Sequence, residues 1–376
     1  MNSTKKPRRP FLKRTSTRIA LLLLITVVAA FWFLTPAPVP FLGSGESMQA
    51  IVYHEYGSPD VLRFEQTEKP LPNDNQVLIK VRAASVNPLD WHYMRGEPYL
   101  VRMEAGMRKP QDTRMGADVA GRIEAVGKNV TQFKPGDEVF GTSGGAFAEY
   151  ALASAKKVVL KPVNITFEQA AAVPIAALTA LQGLRDKGKL QPGQKVLING
   201  ASGGVGTFAV QIAKSLGANV TGVCSGRNVE MVRSIGADHV IDYTKEDFTQ
   251  GAQRYDLILD NVGNHSLSEY RRVMNPKAIY VMVGGPNDGK WIGPMSGAVK
   301  AMLMSPFVSQ DFSMMLASIN GEDLLVLQKL METQKVTPVI DRTYPLSEVP
   351  AAIRYLEEGH ARGKVIIIVG PAVAQD

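Results

Sequence analysis

The sequence predicts an α/β protein in which a β-rich domain is joined to a doubly wound parallel sheet, behind an apolar segment near the N-terminus. Three observations lead to this prediction. Short β-rich runs separated by turns fill residues 48–172, and a strand–helix–strand rhythm around a glycine-rich loop fills residues 173–318. Residues 1–47 differ in composition from everything that follows. The 376 residues are enough for two ordinary domains.

The N-terminal segment begins with a basic flank, residues 1–18, followed by an apolar run at residues 19–34 and a linker rich in Pro, Gly and Ser at residues 35–47. The apolar run is intermediate in length between a signal-peptide core and a membrane-spanning helix. We predict an uncleaved single-pass anchor, with a cleaved signal as the alternative. Arg8 and Arg9 also leave a twin-arginine export signal open. The basic flank favours a cytoplasmic N-terminus, which places the main body outside the cytoplasm.

The net charge of +7 comes from this flank, which contains seven basic residues and no acidic one. The rest of the chain carries 35 basic and 35 acidic residues. Because phosphate binding needs a basic surface on the folded domain, this balance argues against a nucleic acid partner. The single cysteine, Cys224, excludes a disulfide framework and a cysteine-rich metal site.

The β-rich domain is predicted from short apolar runs between turns. Residues 49–53 and 77–81 are two such runs, and the turn-rich pattern continues through residues 116–141. Beyond the second domain, a helix is predicted at residues 322–331 and a last strand at residues 364–369.

A βαβ unit is predicted between Lys195 and Cys224. Residues 195–199 form an apolar strand that leads into Gly-Ala-Ser-Gly-Gly-Val-Gly at residues 200–206. Apolar residues then recur at i, i+3, i+4 and i+7 from Ala209, which is the pattern of one helix face. Further strands are predicted at residues 219–224, 239–242, 257–260 and 278–283.

The glycine-rich loop indicates a dinucleotide site of the G-x-G-x-x-G type, with Ala201 at the first glycine position. The backbone amides predicted to bind a pyrophosphate are those of Gly203, Gly204, Val205 and Gly206. The next strand leads into Ser225 and Arg227 without the carboxylate that NAD sites usually place there. A hydroxyl and a guanidinium can bind a 2′-phosphate that a carboxylate would repel. The sequence therefore predicts NADPH as the cofactor.

Five motifs occur in a characteristic order, at residues 48–59, 85–90 (Ser-Val-Asn-Pro-Leu-Asp), 118–127, 171–174 and 201–206. This order resembles the medium-chain dehydrogenase/reductase superfamily, and most of all its zinc-free quinone oxidoreductase and enoyl reductase branch. The resemblance implies a GroES-like catalytic domain over residues 48–172, a Rossmann NADPH-binding domain over residues 173–318, and a return to the catalytic domain over residues 319–376. It also implies a homodimer.

The resemblance further implies chemistry without a metal. Zinc-dependent relatives would need a cysteine in place of Asn87 and Gly-His-Glu in place of residues 116–118, which read Gly-Ala-Asp here. Without a Lewis acid, the suitable hydride acceptors are already activated by conjugation, as quinones and α,β-unsaturated carbonyls are. Two alternatives stay open: an alcohol dehydrogenase or aldehyde reductase of the same superfamily, and a weakly catalytic NADPH-binding regulator at a membrane.

Roles for individual residues follow from the same resemblance. Asn87 lies near the nicotinamide, and Tyr99 is close to the position of a substrate-facing tyrosine, with Tyr93 as a competing candidate. Thr179 corresponds to a residue that meets the carboxamide. The 2′-phosphate is expected among Ser225, Arg227 and Tyr243. The residues expected to line the cleft elsewhere are Asn261, Gly284, Gly285 and Lys364.

Overall fold

A computed structural model describes residues 43–285 and 309–370. The strands, in chain order, are β1 (Gly43–Val52), β2 (Arg63–Pro70), β3 (Gln76–Val86), β4 (Asp118–Val126), β5 (Glu138–Thr142), β6 (Tyr150–Ser154), β7 (Val158–Leu160), β8 (Lys195–Asn199), β9 (Asn219–Cys224), β10 (His239–Asp242), β11 (Tyr255–Asp260), β12 (Met274–Met282), β13 (Asp311–Met314), β14 (Ile340–Pro345) and β15 (Lys364–Ile368). The α-helices are α1 (Pro88–Arg95), α2 (Val101–Ala105), α3 (Phe167–Ala171), α4 (Pro174–Gln182), α5 (Gly204–Ser215), α6 (Val229–Ser234), α7 (Leu267–Arg272), α8 (Gly321–Glu332) and α9 (Val349–Glu357).

The β-rich domain is built on a seven-stranded sheet in the order β14-β15-β3-β4-β5-β7, with β6 also paired to β3. All of its pairings are antiparallel except that of β14 with β15. The C-terminal strand β15 is inserted between β14 and β3, so the chain leaves this domain and returns to it. Its side chains alternate between two cores, because Val365 and Ile367 pack into one apolar cluster and Ile366 into another.

The second sheet has six parallel strands in the order β10-β9-β8-β11-β12-β13. Val196, Leu197 and Ile198 of β8 are fully buried, as expected for a parallel strand covered by helices on both faces. The strand order runs in opposite directions on the two sides of β8. The carboxyl end of β8 is therefore the switch point at which open α/β sheets bind ligands.

The chain enters the first domain earlier than the sequence predicts. Residues 43–47, placed in the linker above, belong to β1, in which Gly43 pairs with Pro70 and Ser47 with Glu68. A strand of this kind depends on backbone hydrogen bonds to its neighbour and needs no apolar side chains. A search for apolar periodicity therefore does not detect it.

The predicted membrane anchor at residues 19–34 lies outside the described residues. Within residues 43–285 and 309–370, no helix is long and apolar enough to span a membrane.

Candidate functional site

The glycine-rich loop follows β8 and leads directly into α5. Gly200 has a φ of +76°, a conformation that favours glycine, and Gly203 is the residue before the first turn of α5. A Cβ atom on Gly206 would lie 2.1 Å from the Gly200 carbonyl oxygen, so the helix packs directly on the loop. The amides of Gly204, Val205 and Gly206 lie in the first turn of α5, where unpaired N–H groups and the helix dipole can bind a phosphate. The Gly203 amide, also predicted to bind the pyrophosphate, donates to the Gly200 carbonyl oxygen at 3.2 Å.

Ala201, at the first glycine position, is fully buried and packs against β9. A Cβ atom on Gly222 would lie 3.0 Å from the Ala201 methyl group. The side chain of Ala201 therefore fills space inside the domain and not the loop where a phosphate would bind.

A cavity of about 460 Å³ lies at the carboxyl ends of β9 and β10. It is lined by Ser225, Gly226, Arg227, Asp242, Tyr243, Thr244, Lys245 and His360. The structure thus brings together the three residues expected around a 2′-phosphate, Ser225, Arg227 and Tyr243. The Arg227 Nη2 atom donates a hydrogen bond to the His360 carbonyl oxygen at 3.0 Å.

Sequence reasoning missed Asp242, Thr244, Lys245 and His360 in this cavity. Asp242 accepts hydrogen bonds from the Thr244 hydroxyl at 2.7 Å and the Thr244 amide at 3.1 Å. These hydrogen bonds, together with the Lys245 ammonium, hold the pKa of the Asp242 carboxyl below its ordinary value. Asp242, Thr244 and Lys245 reach the cavity because β10 pairs in parallel with β9. His360 lies more than 100 residues further along the sequence.

A second group of site residues forms a buried polar cluster at the ends of β3, β4 and β15. Asp118 is fully buried, and Asn87, Asp90 and Lys364 are each no more than 5% exposed. The Lys364 Nζ atom donates to Asn87 Oδ1 at 2.6 Å and approaches Asp118 Oδ2 at 3.4 Å. Asp118 Oδ2 also accepts from Asn87 Nδ2 at 2.9 Å and from the Ser85 hydroxyl at 2.8 Å.

These contacts fix the orientation of the Asn87 amide, because its oxygen faces an ammonium and its nitrogen faces a carboxylate. Asn87 directly precedes α1, and its backbone N–H donates to Asp90 Oδ2 at 2.7 Å. Burial raises the pKa of Asp90 to about 7, and burial lowers the pKa of Lys364.

The same Asp118 carboxylate holds the start of α4. Its Oδ1 atom accepts from the Ile175 amide at 3.0 Å, which is a favourable position for a negative charge at a helix N-terminus. One turn further on, the Thr179 hydroxyl donates to the Ile175 carbonyl at 2.7 Å. Asp118, which the sequence marked only as part of a family motif, therefore connects Asn87 to the helix that carries Thr179.

Asn261, Gly284 and Gly285 follow the carboxyl ends of β11 and β12, beside the glycine-rich loop of β8. Asn261 Nδ2 donates to the Asn199 carbonyl at 2.9 Å, and Asn261 Oδ1 is buried without a hydrogen bond inside the described part of the chain. A Cβ atom on Gly284 would lie 2.2 Å from the Asn261 carbonyl oxygen, so only glycine fits there. The buried Oδ1 atom is available to a donor from a bound ligand.

Of the two tyrosine candidates, Tyr93 lies in α1 and Tyr99 lies between α1 and α2. The Arg102 guanidinium stacks on the Tyr99 ring at 4.7 Å and on the Tyr56 ring at 4.6 Å. Burial, reinforced by Glu104, raises the pKa of Tyr93 to about 12. In the described residues the hydrogen bonds of the Asn87 side chain reach neither tyrosine. The structure therefore leaves the choice between Tyr93 and Tyr99 as a prediction.

Within residues 43–285 and 309–370, no group of three His, Cys, Asp or Glu side chains could hold a metal ion.

Two family descriptions match the chain, one in each part of the fold. Residues 73–163 match the alcohol dehydrogenase GroES-like domain, and residues 235–367 match the zinc-binding dehydrogenases. A β-rich domain combined with a parallel-sheet dinucleotide-binding domain is the architecture of the two-domain pyridine-nucleotide dehydrogenases, and this chain has that architecture.

Individual relatives narrow the class further. The chain is 36% identical to the mitochondrial NAD(P)H oxidoreductase RTN4IP1 of Mus musculus, over 91% of this chain and 96% of the relative. It is 35% identical to the chloroplast envelope quinone oxidoreductase homolog of Arabidopsis thaliana, over 86% and 99%. The solved quinone oxidoreductase of Coxiella burnetii is 31% identical and superposes with a TM-score of 0.76, over 86% and 100%. The protein belongs to the quinone oxidoreductase-like branch of the medium-chain dehydrogenase/reductase superfamily, as the sequence motifs predict.

Proposed function

We propose that the protein is an NADPH-dependent reductase that transfers a hydride to a quinone or an α,β-unsaturated carbonyl without a metal. The observation that carries this proposal is the pairing of a phosphate-binding loop at the switch point with a cavity containing Arg227, and a buried polar cluster around Asn87. Relatives named as alkenal/one and 2-methylene-furan-3-one reductases support the class of acceptor. A metal is left out because Asn87 and Ala117 stand where zinc-dependent relatives need cysteine and histidine.

The residues present fit NADPH, because the Asp242 carboxylate that shares the cavity is already bound by the Thr244 hydroxyl and amide and lies 3.5 Å from the Lys245 ammonium. The N-terminus of α5 would hold the pyrophosphate, and Ser225, Arg227 and Tyr243 would hold the 2′-phosphate. Thr179 and the buried Asn261 Oδ1 atom would face the nicotinamide end, with Gly284 and Gly285 beside them. When bound, the cofactor supplies the hydride. The solved Escherichia coli quinone oxidoreductase is in complex with NADPH, is 25% identical, and superposes with a TM-score of 0.72 over 85% of this chain and 99% of its own.

The chain must orient the acceptor and provide for a proton. Addition of a hydride and a proton reduces the acceptor by two electrons, and the proton comes from a side chain or from water. The Tyr93 hydroxyl is protonated at neutral pH, as a tyrosine ordinarily is, and would donate to developing negative charge on an acceptor oxygen by exchanging its hydrogen bond to Glu104. Asn87 is held rigidly at the other end of α1, and Tyr99 remains the competing tyrosine.

The test is NADPH oxidation by the purified full chain with 1,4-quinones and enones as acceptors, NADH as the paired donor, and zinc content recorded. Arg227→Ala is expected to raise the KM for NADPH by about 10- to 100-fold, because a charge-assisted phosphate contact is lost. The KM for NADH should not change. Arg233→Ala, which removes an exposed arginine of α6 paired with Glu230, is the matched control.

Each other result has a defined meaning. NADPH binding without turnover on any acceptor would replace the reductase with the membrane-associated binding role. Zinc-dependent oxidation of alcohols would favour the alcohol dehydrogenase alternative. Equal use of NADH and NADPH by the native protein would contradict the assignment of Ser225, Arg227 and Tyr243.

Two further features are proposed, one for the N-terminal segment and one for the oligomeric state. A single-pass anchor at residues 19–34 predicts that the full chain stays with membranes after carbonate washing, whereas release would exclude it. The mitochondrial and chloroplastic names of the relatives support, instead, an N-terminal segment that directs the chain to an organelle.

The second feature is the oligomeric state. A homodimer predicts twice the chain mass of 40.8 kDa by light scattering.

A further inference from the structure

Residues 360–364, here named the return segment, contact both ends of the candidate site. At one end, the His360 carbonyl oxygen accepts from Arg227, which lines the proposed 2′-phosphate cavity. In the middle, the Gly363 amide donates to the Ser202 carbonyl of the glycine-rich loop at 2.9 Å. At the other end, Lys364 reaches Asn87. Five consecutive residues therefore connect the phosphate-binding groups to the buried polar cluster.

The return segment is hydrogen-bonded to Val339 and to Asp341 of β14. Gly363 has a φ of +98°, and a Cβ atom there would lie 2.2 Å from the Val339 carbonyl oxygen. That same oxygen accepts from the Lys364 amide at 2.9 Å, and Asp341 Oδ2 accepts from the Arg362 amide at 3.0 Å. Little space therefore remains for the segment to buckle between its two ends.

The Lys364 side chain passes beside the phosphate-binding loop before it enters the cluster. A Cβ atom on Gly204 would lie 3.2 Å from Lys364 Cδ. The ammonium group reaches three oxygens, those of Asn87 at 2.6 Å, Val86 at 3.2 Å and Asp118 at 3.4 Å. Its side chain is only 4% exposed, so these oxygens stand in for water around the charge. The ammonium and the Asn87 amide must therefore move together.

We propose that Lys364 is a positioning residue that couples occupation of the 2′-phosphate cavity to the placement of Asn87. This inference rests on the proposed function, since it assigns a use to the NADPH site. A guanidinium has five N–H donors, so Arg227 can bind a phosphate while it keeps its hydrogen bond to His360. Binding energy from the remote phosphate is then used to order the reacting end of the site. Preference for NADPH over NADH will appear in the rate of hydride transfer as well as in affinity.

The experiment compares the full-length protein with Lys364→Met by single-turnover hydride transfer to a quinone, using NADPH and NADH separately. Affinities for both dinucleotides are measured by fluorescence titration. Lys364→Met is expected to slow transfer from NADPH by about tenfold or more, because misplacement at a reacting centre is costly. The ratio of the NADPH and NADH rate constants should fall toward one, while the Kd for NADPH changes less than about threefold. Lys329→Met, on the exposed face of α8, is the matched control.

Loss of the ammonium leaves Asp118 buried without its counter-charge, and the variant could fail to fold for that reason alone. The double variant Asp118→Asn, Lys364→Met removes both charges. This double variant should regain stability but keep the reduced ratio of the NADPH and NADH rate constants. A purely structural role of Lys364 predicts instead that stability and the ratio recover together.

A readout independent of turnover is the side-chain amide of Asn87 in NMR spectra, assigned by comparison with Asn87→Ala. NADPH is expected to shift this resonance and slow its hydrogen exchange more than NADH does, and Lys364→Met should abolish the difference. Equal responses to the two dinucleotides, or an unchanged ratio of rate constants in Lys364→Met, would overturn the coupling. Absence of turnover by the native protein would instead refute the proposed function, and the NMR comparison would still decide the coupling.

Discussion

Replacement of Gly206 by alanine tests the packing of α5 against the glycine-rich loop. Alanine is a better helix former than glycine, by at most about 1 kcal/mol, and Gly206 lies in the first turn of α5. Helix propensity alone therefore predicts a small gain in stability. The structure predicts the opposite, because the new methyl group would lie 2.1 Å from the Gly200 carbonyl oxygen.

The size of the effect follows from that distance. An ordinary contact between a carbon and a carbonyl oxygen needs about 3.4 Å, so the helix or the loop must shift by more than 1 Å. Overpacking of this kind costs about 1–3 kcal/mol of unfolding free energy. The shift also separates the helix N-terminus from the phosphate-binding position. Loss of one or two charge-assisted hydrogen bonds would weaken NADPH binding by about 10- to 100-fold.

The assay is urea unfolding of the protein without cofactor, followed by NADPH titration. Gly203→Ala is the matched control for stability, since Gly203 has a φ of −83° and its Cβ would lie 3.5 Å from the same Gly200 oxygen. It should change the unfolding free energy by less than about 1 kcal/mol. If Gly206→Ala is as stable as the native protein and binds NADPH equally well, the tight packing of the loop is refuted.

Three further predictions concern groups outside the phosphate-binding loop. Burial raises the pKa of Asp90 from 3.8 to about 7, so the folded state keeps a proton that the unfolded state has lost, and the contribution of Asp90 to stability falls as pH rises from 4 to 7. Relative to the native protein, Asp90→Asn should therefore become more stable as pH rises over this range, as measured by urea unfolding at several pH values. Asp323 is buried and accepts from Gln182 and Arg185 at 2.7 Å each. Asp323→Ala should therefore lower the free energy of unfolding by about 2–4 kcal/mol without changing the Kd for NADPH. An altered Kd would show that Asp323 also affects the cofactor site. Burial raises the pKa of the Cys224 thiol to about 11, so iodoacetamide at pH 8 should label it only as fast as the chain unfolds.

The regular elements of the fold could be predicted from local patterns. The strand predicted at residues 239–242 matches β10, and the helix predicted at residues 322–331 differs from α8 by one residue at each end. The edge strand β13 (Asp311–Met314) was missed because its four residues, Asp-Phe-Ser-Met, are too few to distinguish an apolar alternation from chance. Local patterns report burial along one element, and an edge strand is stabilised mainly by the backbone of its neighbour.

The candidate site could be predicted only where its residues are close in sequence. The loop residues and the pair Ser225 and Arg227 follow from one βαβ unit. The contact of Lys364 with Asp118 joins positions 246 residues apart, and neither the spacing nor the residue types reveal it. Family resemblance suggested Lys364 as a cleft residue, but its role beside Asn87 required the geometry.

The place of β15 between β14 and β3 has a consequence for synthesis of the chain. Its residues, Lys364–Ile368, are synthesised after all the other described strands, so the first sheet lacks an interior strand while the strands of the second sheet are already made. Val86 and Ala84 of β3 remain without their β15 partners until then, and they form a temporarily open edge. Nascent chains halted before residue 364 should therefore recruit chaperones at this edge, and emergence of residues 364–368 should end that dependence.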